Sequence, residues 1–418
     1  MAEMNGENRR ATVIGAGIVG VCSALYLQRE GFTVTLIDRR GPGEEASSGN
    51  GGCFGYASCV PLSMPGLARK APFLLLDPDG PLKVRWRDVP RLAPWFLRFH
   101  GNCKRHRVEQ TADARNALLS RMYDGMEPLL AAAGAEDMVK RDGMLYVFET
   151  EKALAQSAYT LDLRRRRGVK IDELSGDEAR EMEPALGPLV KRAFFFPQVG
   201  RTINPLRLAQ VLARHFTDQG GTVLRRQVAD FEIGAEGARR VLTDGGAVEC
   251  DLVVIAAGVW SRPLARKLGS HIPLIAERGY NVMLPDPGVM PGRCVVSGER
   301  YFGITPMEHG LRVAGLAEFA ATDAPPNYAR AERLLGLLRG LVPGVNTAGF
   351  KPWMGPRPSV PDSRPVIGRS PKHKNVLFAF GHDHIGLSTA GITGKLIGEL
   401  ATGRAPTINL SPYRPDRF

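Results

Sequence analysis

The sequence predicts a mixed α/β (α+β) fold in which a parallel-sheet domain is interrupted by a second domain of antiparallel sheet and helices. Three observations lead to this prediction. Residues 11–38 have the pattern of strand, glycine-rich turn, helix and strand, the unit that builds a parallel sheet. Residues 85–190 are mainly helical in pattern, and residues 272–320 contain short alternating strands typical of an antiparallel sheet. Residues 376–400 return to strand, loop and helix, so both domains are predicted to be discontinuous.

The elements of the parallel domain each have a local signal. Gly31 stands where a helix C-cap is expected, and Gly220-Gly221 follows a second amphipathic helix. The predicted elements are strand Ala11–Ile14, turn Gly15–Gly20, a helix to Glu30, strand Phe32–Ile37, helix Pro205–Gln219, strand Thr222–Val228, strand Leu252–Gly258, strand Val376–Phe380 and helix Thr389–Leu400.

The second domain is predicted from one strand inside the helical region and three alternating strands after it. These are Gly143–Phe148, Tyr280–Leu284, Tyr301–Thr305 and Arg312–Ala317. The predicted division assigns residues 9–84, 191–263 and 351–418 to the parallel domain and residues 85–190 and 264–350 to the second domain.

Composition is that of a globular enzyme, with 44% hydrophobic and 23% charged residues. The net charge is +12, and the densest basic run is Arg164–Arg167. This run is interpreted as a solvated helix face, with attraction to anionic lipid headgroups as the alternative. Nucleic acid is disfavoured, because no aromatic residues alternate with the basic cluster as a base-stacking groove requires.

The cysteines show neither a CxxC pair nor metal-ligand spacing, which favours reduced thiols in the cytoplasm and no metal site. They are Cys22, Cys53, Cys59, Cys103, Cys250 and Cys294. Residues 1–10 are polar and do not resemble a secretory signal. No apolar stretch approaches the roughly 20 residues that a membrane-spanning helix needs.

The strongest motif is Gly15-Ala16-Gly17-Ile18-Val19-Gly20, a GxGxxG sequence between a predicted strand and helix. In a Rossmann-like domain the first glycine permits the tight turn, the second lets a pyrophosphate approach, and the third lets helix and strand pack closely. The helix N-terminus favours the negative charge. Asp38 ends the next strand, where it can accept hydrogen bonds from ribose. Together they predict a dinucleotide site.

Three further segments resemble the D-amino acid oxidase superfamily of flavoproteins, and the resemblance spans nearly the whole chain. They are the loop Glu45–Gly52, Ala256-Ala257-Gly258 at a strand end, and Gly381–Ser388 near the C-terminus. The sequence looks closest to the D-amino acid dehydrogenase branch (small subunit type), which includes hydroxyproline dehydrogenases. The resemblance implies that the dinucleotide is FAD, and that the two domains bind FAD and substrate respectively.

The resemblance also implies roles for individual residues. The loop lies along the pyrophosphate and flavin, Val228 reaches the adenine, and Gly386-Leu387-Ser388 directs backbone N–H groups at the flavin pyrimidine. No cysteine follows Cys294, so FAD is expected to be bound non-covalently. The predicted cofactor residues are Gly15, Gly17, Ile18, Val19, Gly20, Asp38, Arg39, Ser47, Ser48, Asn50, Gly51, Gly52, Val228, Ala256, Ala257, Gly258, Trp260, His384, Ile385, Gly386, Leu387 and Ser388.

Substrate binding is assigned to Gly355-Pro356-Arg357-Pro358, which resembles the family's Gly-x-Arg-Pro segment. In relatives its arginine binds the substrate carboxylate, which a guanidinium can hold with two parallel hydrogen bonds. Relatives often have Leu where this chain has Pro356. Tyr280 and Tyr301 are candidates to complete the carboxylate site, with ordinary core or rim tyrosines as the alternative.

His382, Asp383 and His384 flank the predicted flavin turn. Asp383 is interpreted either as a contact to the substrate amine or hydroxyl or as a loop cap. His384 is included among the candidate catalytic residues together with Arg357, Tyr280 and Tyr301.

The resemblance implies oxidative deamination of a small amino acid, with a D-amino acid as the leading candidate. A hydride passes from Cα to flavin N5, and the imino acid then hydrolyses to a keto acid and ammonia. Alternatives are glycine or sarcosine oxidation by oxygen and hydroxyproline dehydrogenation by a membrane quinone. The quinone alternative implies peripheral attachment to the inner face of a membrane. A non-catalytic or tRNA-modifying flavin-fold protein is a remote alternative.

Overall fold

A computed structural model describes residues 9–67, 80–235 and 237–418. The prediction that residues 1–10 are not a secretory signal concerns a segment that lies almost entirely outside the described residues. Within the described ranges, no helix is both long and apolar enough to cross a membrane.

The helices and strands have the following bounds. The described α-helices are α1 Ile18–Arg29, α2 Val89–Gly101, α3 Arg105–Leu119, α4 Met122–Ala133, α5 Glu151–Arg165, α6 Gly176–Met182, α7 Pro205–Asp218, α8 Ser261–Lys267, α9 Ala329–Leu341 and α10 Gly386–Ala401. The described strands are β1 Arg10–Ile14, β2 Thr33–Asp38, β3 Cys53–Phe54, β4 Leu82–Val84, β5 Val139–Lys140, β6 Met144–Phe148, β7 Asp172–Ser175, β8 Arg192–Phe196, β9 Gly200–Thr202, β10 Thr222–Arg225, β11 Val228–Gly234, β12 Gly237–Thr243, β13 Gly246–Glu249, β14 Leu252–Ile255, β15 Ile275–Leu284, β16 Cys294–Ser297, β17 Phe302–Met307, β18 Gly310–Phe319, β19 Lys351–Ser359, β20 Val366–Arg369 and β21 Val376–Phe380.

The first domain is built on a six-stranded sheet in the order β10-β2-β1-β14-β21-β20. Its strands pair in parallel except β20, which is antiparallel to β21. Every residue of β14 and β21 is buried, as expected of strands covered on both faces. Helices α1, α7 and α10 supply the core on one face, and β11–β13 with α8 cover the other. The predicted parallel sheet is therefore confirmed.

The second domain is built on a nine-stranded, mainly antiparallel sheet with the path β19-β15-β18-β17-β16-β6-β8-β7, and β4 pairs with β18 beside it. Helix α9 packs on one face of this sheet, where Leu334 and Leu338 join Val282 and Val313 in one apolar cluster. The opposite face of β15 and β19 is turned toward the first domain, so that this face can contribute side chains to a site between them.

The observed bounds of some elements differ from the predicted ones; the strand predicted as Leu252–Gly258, for example, ends at Ile255. The strand predicted as Thr222–Val228 ends at Arg225, because Arg225 pairs with Asp38, the last residue of β2, and no parallel neighbour continues beyond it. Val228 instead begins β11 and pairs with Thr243 in a separate antiparallel sheet. Gly386-Leu387-Ser388 forms the first turn of α10 rather than a loop before it.

The domain division stays a proposal. Two strands near its boundaries belong to the nine-stranded sheet: β8, which pairs with β6 and β7, and β19, which pairs with β15. Both lie in segments that the sequence pattern assigned to the parallel domain.

The side chains of the basic run Arg164–Arg167, at the end of α5, form ion pairs and hydrogen bonds with other residues of the chain. Arg165 pairs with Glu173, and Arg166 pairs with Glu109 at 2.8 Å. Arg167 is mostly buried and pairs with Asp113 at 2.7 Å. Arg164 donates to the Ala57 carbonyl at 3.0 Å. These ion pairs and hydrogen bonds give the run a structural role, and Arg164 and Arg167 do not fit the interpretation as a solvated face.

Candidate active site

A cavity of about 2080 Å³ lies where the carboxyl ends of the parallel strands face the nine-stranded sheet. Its walls include the last residues of three parallel strands, which are Ile14, Asp38 and Phe380. Ligands of open α/β sheets bind at this edge. The volume exceeds the roughly 300–1,000 Å³ of an ordinary ligand pocket, so a dinucleotide and a small substrate can share it.

Most predicted site residues meet in this one cavity. Those that line it are Gly15, Gly17, Ile18, Val19, Asp38, Arg39, Ser47, Asn50, Gly51, Val228, Ala256, Ala257, Gly258, Trp260, Tyr280, Tyr301, Arg357, His384, Gly386, Leu387 and Ser388. The predicted residues Gly20, Ser48, Gly52 and Ile385 lie behind this wall.

Two positions of the glycine turn have no space for a side chain. Gly15 has a φ of +108°, and a Cβ there would lie 2.5 Å from the Ala256 carbonyl oxygen. A Cβ on Gly20 would lie 1.8 Å from the Gly15 carbonyl oxygen. Both clashes are with backbone atoms, so side-chain movement cannot relieve them. The turn therefore requires glycine at positions 15 and 20.

Two helix N-termini open onto the cavity. Neither α1 nor α10 has an acidic residue in its first turn, and Ile18 and Ser388 at these ends line the wall. The Ile18 N–H donates to Ser47 Oγ at 3.1 Å, and Ser388 Oγ accepts from the Gly55 N–H at 2.9 Å. The positive ends of two helices thus face one cavity, an arrangement that favours anionic groups.

The loop over residues 45–52 is held by two side chains that sequence reasoning missed. Arg312 on β18 donates from Nη1 to the carbonyls of Ser48, at 3.0 Å, and Asn50, at 2.6 Å. Asn281 on β15 donates to the Gly49 carbonyl at 2.9 Å. Burial lowers the pKa of Arg312 to about 10, which leaves it cationic at neutral pH. The nine-stranded sheet therefore fixes the predicted cofactor loop from the side opposite the parallel sheet.

Asp38 and its neighbour Arg39 line the part of the cavity next to the glycine turn. Asp38 accepts hydrogen bonds from the Ala16 N–H at 2.7 Å and the Arg40 N–H at 2.9 Å. Burial raises the pKa of Asp38, although these two backbone donors oppose the rise. The Arg39 guanidinium lies 4.0 Å from the centre of the Trp260 ring, a cation–π contact.

The substrate end is organised by Glu277, a carboxylate that the sequence analysis did not single out. Glu277 and Arg357 are direct cross-strand partners on β15 and β19. Glu277 Oε1 accepts from Arg357 Nη1 at 3.0 Å and lies 2.7 Å from His384 Nε2, while Oε2 accepts from Ser359 Oγ at 2.9 Å. We call Glu277, Arg357, His384 and Ser359 the Glu277 cluster.

The electrostatics of the Glu277 cluster keep its carboxylate ionised. Burial alone would raise the pKa of Glu277, but His384, Arg357 and Ser359 outweigh it and hold the pKa at about 2. An ionised carboxylate has no proton to donate, so His384 Nε2 carries the proton of their hydrogen bond. Glu277 thereby fixes both the guanidinium and the imidazole.

Glycine at position 279 makes room for Arg357. A Cβ on Gly279 would lie 2.2 Å from Arg357 Nη2 and 2.3 Å from its Cζ. The guanidinium thus lies directly over the backbone of β15, with about a quarter of the arginine side chain exposed. Both hydrogen bonds that Arg357 makes in the described part of the chain run from Nη1, to Glu277 and to the Leu316 carbonyl. The edge formed by Nε and Nη2 remains available to a ligand.

The two candidate tyrosines are not brought to Arg357 in the way predicted. Tyr280 points to the opposite face of β15 because neighbouring strand residues alternate in direction. Tyr280 packs in the apolar cluster that α9 forms with the nine-stranded sheet, and its hydroxyl donates to Glu318 at 2.6 Å. Tyr301 lies just before β17 with a φ of +58° and is 61% exposed at the cavity wall. Tyr280 is therefore a core residue, and Tyr301 is a rim residue.

The residues before His384 have structural partners. His382 Nε2 lies 3.1 Å from Thr393 Oγ1, and burial lowers the pKa of His382 to about 3. Asp383 has a φ of +47°, and its Oδ1 accepts from the Val360 N–H at 3.1 Å. Burial raises the pKa of Asp383 to about 6, against the opposing charge of Arg115, whose Nη1 lies 3.8 Å from Oδ2. These contacts favour the loop-cap interpretation of Asp383.

Glu277→Gln is expected to destabilise the protein most at neutral pH. The pKa of Glu277 is depressed from 4.5 to about 2, so its stabilisation is complete above pH 4.5 and is lost as the pH falls toward 2. The shift corresponds to about 3 kcal/mol. Urea unfolding of wild type and Glu277→Gln should therefore differ most at pH 7 and converge in acid.

The matched control is Glu173→Gln, because Glu173 is an exposed carboxylate paired with Arg165. Exposed pairs contribute little, so this variant should unfold within about 0.5 kcal/mol of wild type at every pH. A Glu277→Gln deficit that stayed constant between pH 7 and pH 3 would contradict the assignment.

No group of three or more His, Cys, Asp and Glu side chains suited to a metal ion occurs within residues 9–67, 80–235 and 237–418. All six cysteines are free thiols.

Comparison with known proteins gives matches along nearly the whole chain. Residues 10–400 match the family described as FAD dependent oxidoreductase. The chain is 35% identical over 419 residues to a D-amino-acid oxidase of Bradyrhizobium diazoefficiens, covering 99% of each sequence. It is 32% identical over 423 residues to a D-amino acid dehydrogenase of Paramagnetospirillum magneticum, covering 98% of this chain and 99% of the relative.

A similar fold occurs in the crystal structure of glycine oxidase from Geobacillus kaustophilus. The TM-score is 0.75 at 22% identity, with 98% of this chain and 99% of the other covered. At that level of identity the likeness concerns the fold.

Proposed function

The chain belongs to the family of FAD-dependent oxidoreductases, and from that premise we propose that it catalyses the oxidative deamination of a small D-amino acid. Both sequence relatives described above carry names of D-amino acid-oxidising enzymes. The single observation that carries the proposal is Arg357, whose Nε–Nη2 edge is open to a ligand in the cavity that also contains the glycine turn.

FAD fits the residues present at the other end of the cavity. Gly15 and Gly17 line the cavity without side chains, and a Cβ on Gly17 would meet only Ser47 Oγ, at 3.4 Å, so a side chain there would fill space that is open to the cofactor. The two helix N-termini suit the pyrophosphate and the flavin pyrimidine. When bound, FAD supplies the acceptor for the hydride from the substrate Cα. Non-covalent attachment is part of the proposal, and protein denaturation should release all the flavin.

The Glu277 cluster supports amino acid binding in particular. Nε and Nη2 of Arg357 can hold both oxygens of a carboxylate, which orients the Cα–H bond. Glu277 keeps Arg357 in place through Nη1 and so leaves this edge free for substrate.

His384 is the group best placed to receive a proton from the substrate ammonium. Its Nε2–H is held by Glu277, its side chain is about one-third exposed on the cavity wall, and Nδ1 has no hydrogen bond among the described residues. Neutral imidazole accepts at the nitrogen that does not carry hydrogen. Removal of the ammonium proton leaves the amine lone pair that helps to form the imine.

The function is tested by mixing the purified holoenzyme anaerobically with a panel of D- and L-amino acids, glycine, sarcosine and hydroxyproline. Loss of the oxidised flavin absorbance with small D-amino acids, with formation of a keto acid and ammonia, is the expected result. Bleaching by sarcosine or hydroxyproline alone would replace the proposal with the corresponding amine oxidation. No bleaching by any amino acid would refute it.

The electron acceptor is tested separately. The relatives include both an oxidase and dehydrogenases, and a quinone at a membrane surface is the acceptor expected of the dehydrogenase alternative. The reduced enzyme should be mixed with oxygen or with a soluble quinone, and the faster return of the flavin absorbance identifies the acceptor.

Asp38→Ala is expected to raise the Kd for FAD by between about tenfold and a hundredfold. Hydrogen bonds to a charged group contribute roughly 1.5–3 kcal/mol, and Asp38 both orients the turn and faces the proposed ribose position. Titration of the apoprotein with FAD, followed by flavin fluorescence, measures the change.

The control for Asp38→Ala is Asp251→Ala. Asp251 pairs with Arg10 at the start of β1, the opposite end of the same strands from the cavity. The Asp251→Ala variant should bind FAD with the same affinity as wild type. An unchanged affinity in Asp38→Ala as well would show that Asp38 does not contribute to the cofactor site.

A further inference from the structure

Two thiols lie against each other where the cofactor loop meets the nine-stranded sheet. Cys53 begins β3, directly after Gly51 and Gly52, and Cys294 begins β16. Their Sγ atoms are 2.7 Å apart, although the residues are separated by 241 positions in sequence. Two sulfur atoms that are not bonded normally remain farther apart than this. Only a small movement is needed to reach the bond length of about 2.05 Å in a disulfide.

The surroundings of the pair favour thiol chemistry. Thr305 Oγ1 lies 3.8 Å from Cys53 Sγ and 3.5 Å from Cys294 Sγ, and it donates to the Gly51 carbonyl at 2.7 Å. The hydrogen bond with Cys294 lowers the pKa of Cys53 against the effect of burial, and the charge of Arg201 acts in the same direction. Burial raises the pKa of Cys294. One thiol is thus favoured as the thiolate and the other as its protonated neighbour.

The remaining cysteines have no such arrangement. Burial raises the pKa of Cys22, Cys59, Cys103 and Cys250, and the described contacts of these residues include no second sulfur. Access also separates Cys53 from Cys22, Cys59 and Cys250, which are buried, because Cys53 is half-buried and lines the large cavity, as Cys103 does. A small oxidant that enters the cavity can therefore reach Cys53.

From this geometry we propose that Cys53 and Cys294 form a reversible disulfide that ties the cofactor loop, residues 45–52, to the nine-stranded sheet. With hydrogen peroxide as oxidant, the Cys53 thiolate attacks one peroxide oxygen, and a sulfenic acid and one water result. The Cys294 thiol then attacks the Cys53 sulfur, the S–S bond forms, and a second water leaves. Two thiols lose two electrons in total, and both are taken up by the peroxide. A dithiol reductant reverses the change.

The disulfide adds a covalent tether to a loop that is now held by hydrogen bonds. Arg312 and Asn281 already bind the loop to β18 and β15. The bridge would fix the C-terminal end of the same loop to β16. Opening of the loop should then be slower, and FAD should dissociate more slowly. A cross-link between distant residues also limits the unfolded chain, so Tm should rise by several degrees.

The test uses the wild-type holoenzyme treated with hydrogen peroxide and then with an alkylating reagent. Peptide mapping should find one cross-linked peptide pair containing residues 53 and 294, two hydrogens lighter than the sum of its parts. Dithiothreitol should restore two alkylatable thiols. FAD dissociation, followed by the rise of free-flavin fluorescence on dilution, should be at least twofold slower in the oxidised protein.

In Cys53→Ser, Cys294 should stay alkylatable after oxidation, and in Cys294→Ser the oxidation of Cys53 should stop at the sulfenic acid. Neither variant should form the cross-link or show a change in FAD release. Cys103→Ser is the matched control, because Cys103 also lines the cavity, and it should form the cross-link normally. Oxidation that stops at a sulfenic or sulfinic acid on Cys53, with Cys294 still alkylatable in wild type, would overturn the disulfide. A disulfide that forms without slowing FAD release would overturn its effect on the loop.

Discussion

Arg357→Ala is expected to lower kcat/KM for amino acid substrates by between about thirty-fold and a few thousand-fold. Without Arg357, the substrate carboxylate enters a partly dry site with no charged partner, at a cost of roughly 2–5 kcal/mol. Each 1.4 kcal/mol corresponds to a factor of ten. Stopped-flow measurement of flavin reduction gives this ratio directly. Glu277 keeps His384 and Ser359 as partners, so the fold should remain intact.

Two further variants separate loss of charge from loss of geometry. Arg357→Lys should recover only part of the activity, since an ammonium cannot hold both carboxylate oxygens in parallel. Gly279→Ala keeps the arginine but places a Cβ where Nη2 now lies, so it should lower kcat/KM with little effect on FAD content. An amino acid amide should be a poor substrate for wild type and no worse for Arg357→Ala. Retention of most activity by Arg357→Ala would remove the main support for an amino acid substrate.

Gly20→Ala is expected to abolish FAD binding at micromolar FAD. The added Cβ would lie 1.8 Å from the Gly15 carbonyl oxygen, so α1 must shift away from the turn that receives the pyrophosphate. Such overpacking against backbone costs more than an ordinary core enlargement of about 1–3 kcal/mol. The purified variant should be colourless, and its Tm should be lower than that of wild-type apoprotein.

Gly336→Ala is the control for this substitution. Gly336 also lies inside a helix, α9, but apart from the backbone of its own helix no atom of the described residues lies within 4 Å of a Cβ placed there. Alanine should stabilise that helix by about 0.5–1 kcal/mol and leave FAD content unchanged. If Gly20→Ala bound FAD as wild type does, the close contact at the turn would be unimportant for the cofactor.

The elements that could be predicted from the sequence are those whose formation depends on neighbouring residues in the chain. The spacing of apolar residues changes clearly from the first strand, through the glycine turn, to α1. The structure contains each of these elements. The end of β10 was not predictable in this way, because it depends on where β2 stops. The sequence after Arg225 continues to look like a strand, and it is one, but Val228 pairs in a different sheet.

The candidate site also contains residues that a local motif reveals and residues that only the strand pairing brings into place. Arg357 could be found because its segment resembles a family motif, whereas its partner Glu277 is 80 residues away and resembles an ordinary polar position on an alternating strand. Only the pairing of β15 with β19 buries that carboxylate. Tyr280 lines the cavity, but its hydroxyl lies with Glu318 on the other face of β15 from Arg357. A strand places neighbouring residues on opposite faces, and sequence alone did not show which face was which.

The order of strands in the six-stranded sheet has a consequence for biosynthesis. β1 pairs with β14, β14 pairs with β21, and α10 packs against α1. One partner of β1, the strand β2, follows soon after it, but the other, β14, is synthesised more than two hundred residues later. Until α10 leaves the ribosome, the part of the apolar surface of α1 that packs against α10 has no cover, which is the condition in which nascent chains aggregate or bind chaperones. We therefore expect the cofactor to be captured only after synthesis of the C-terminal helix.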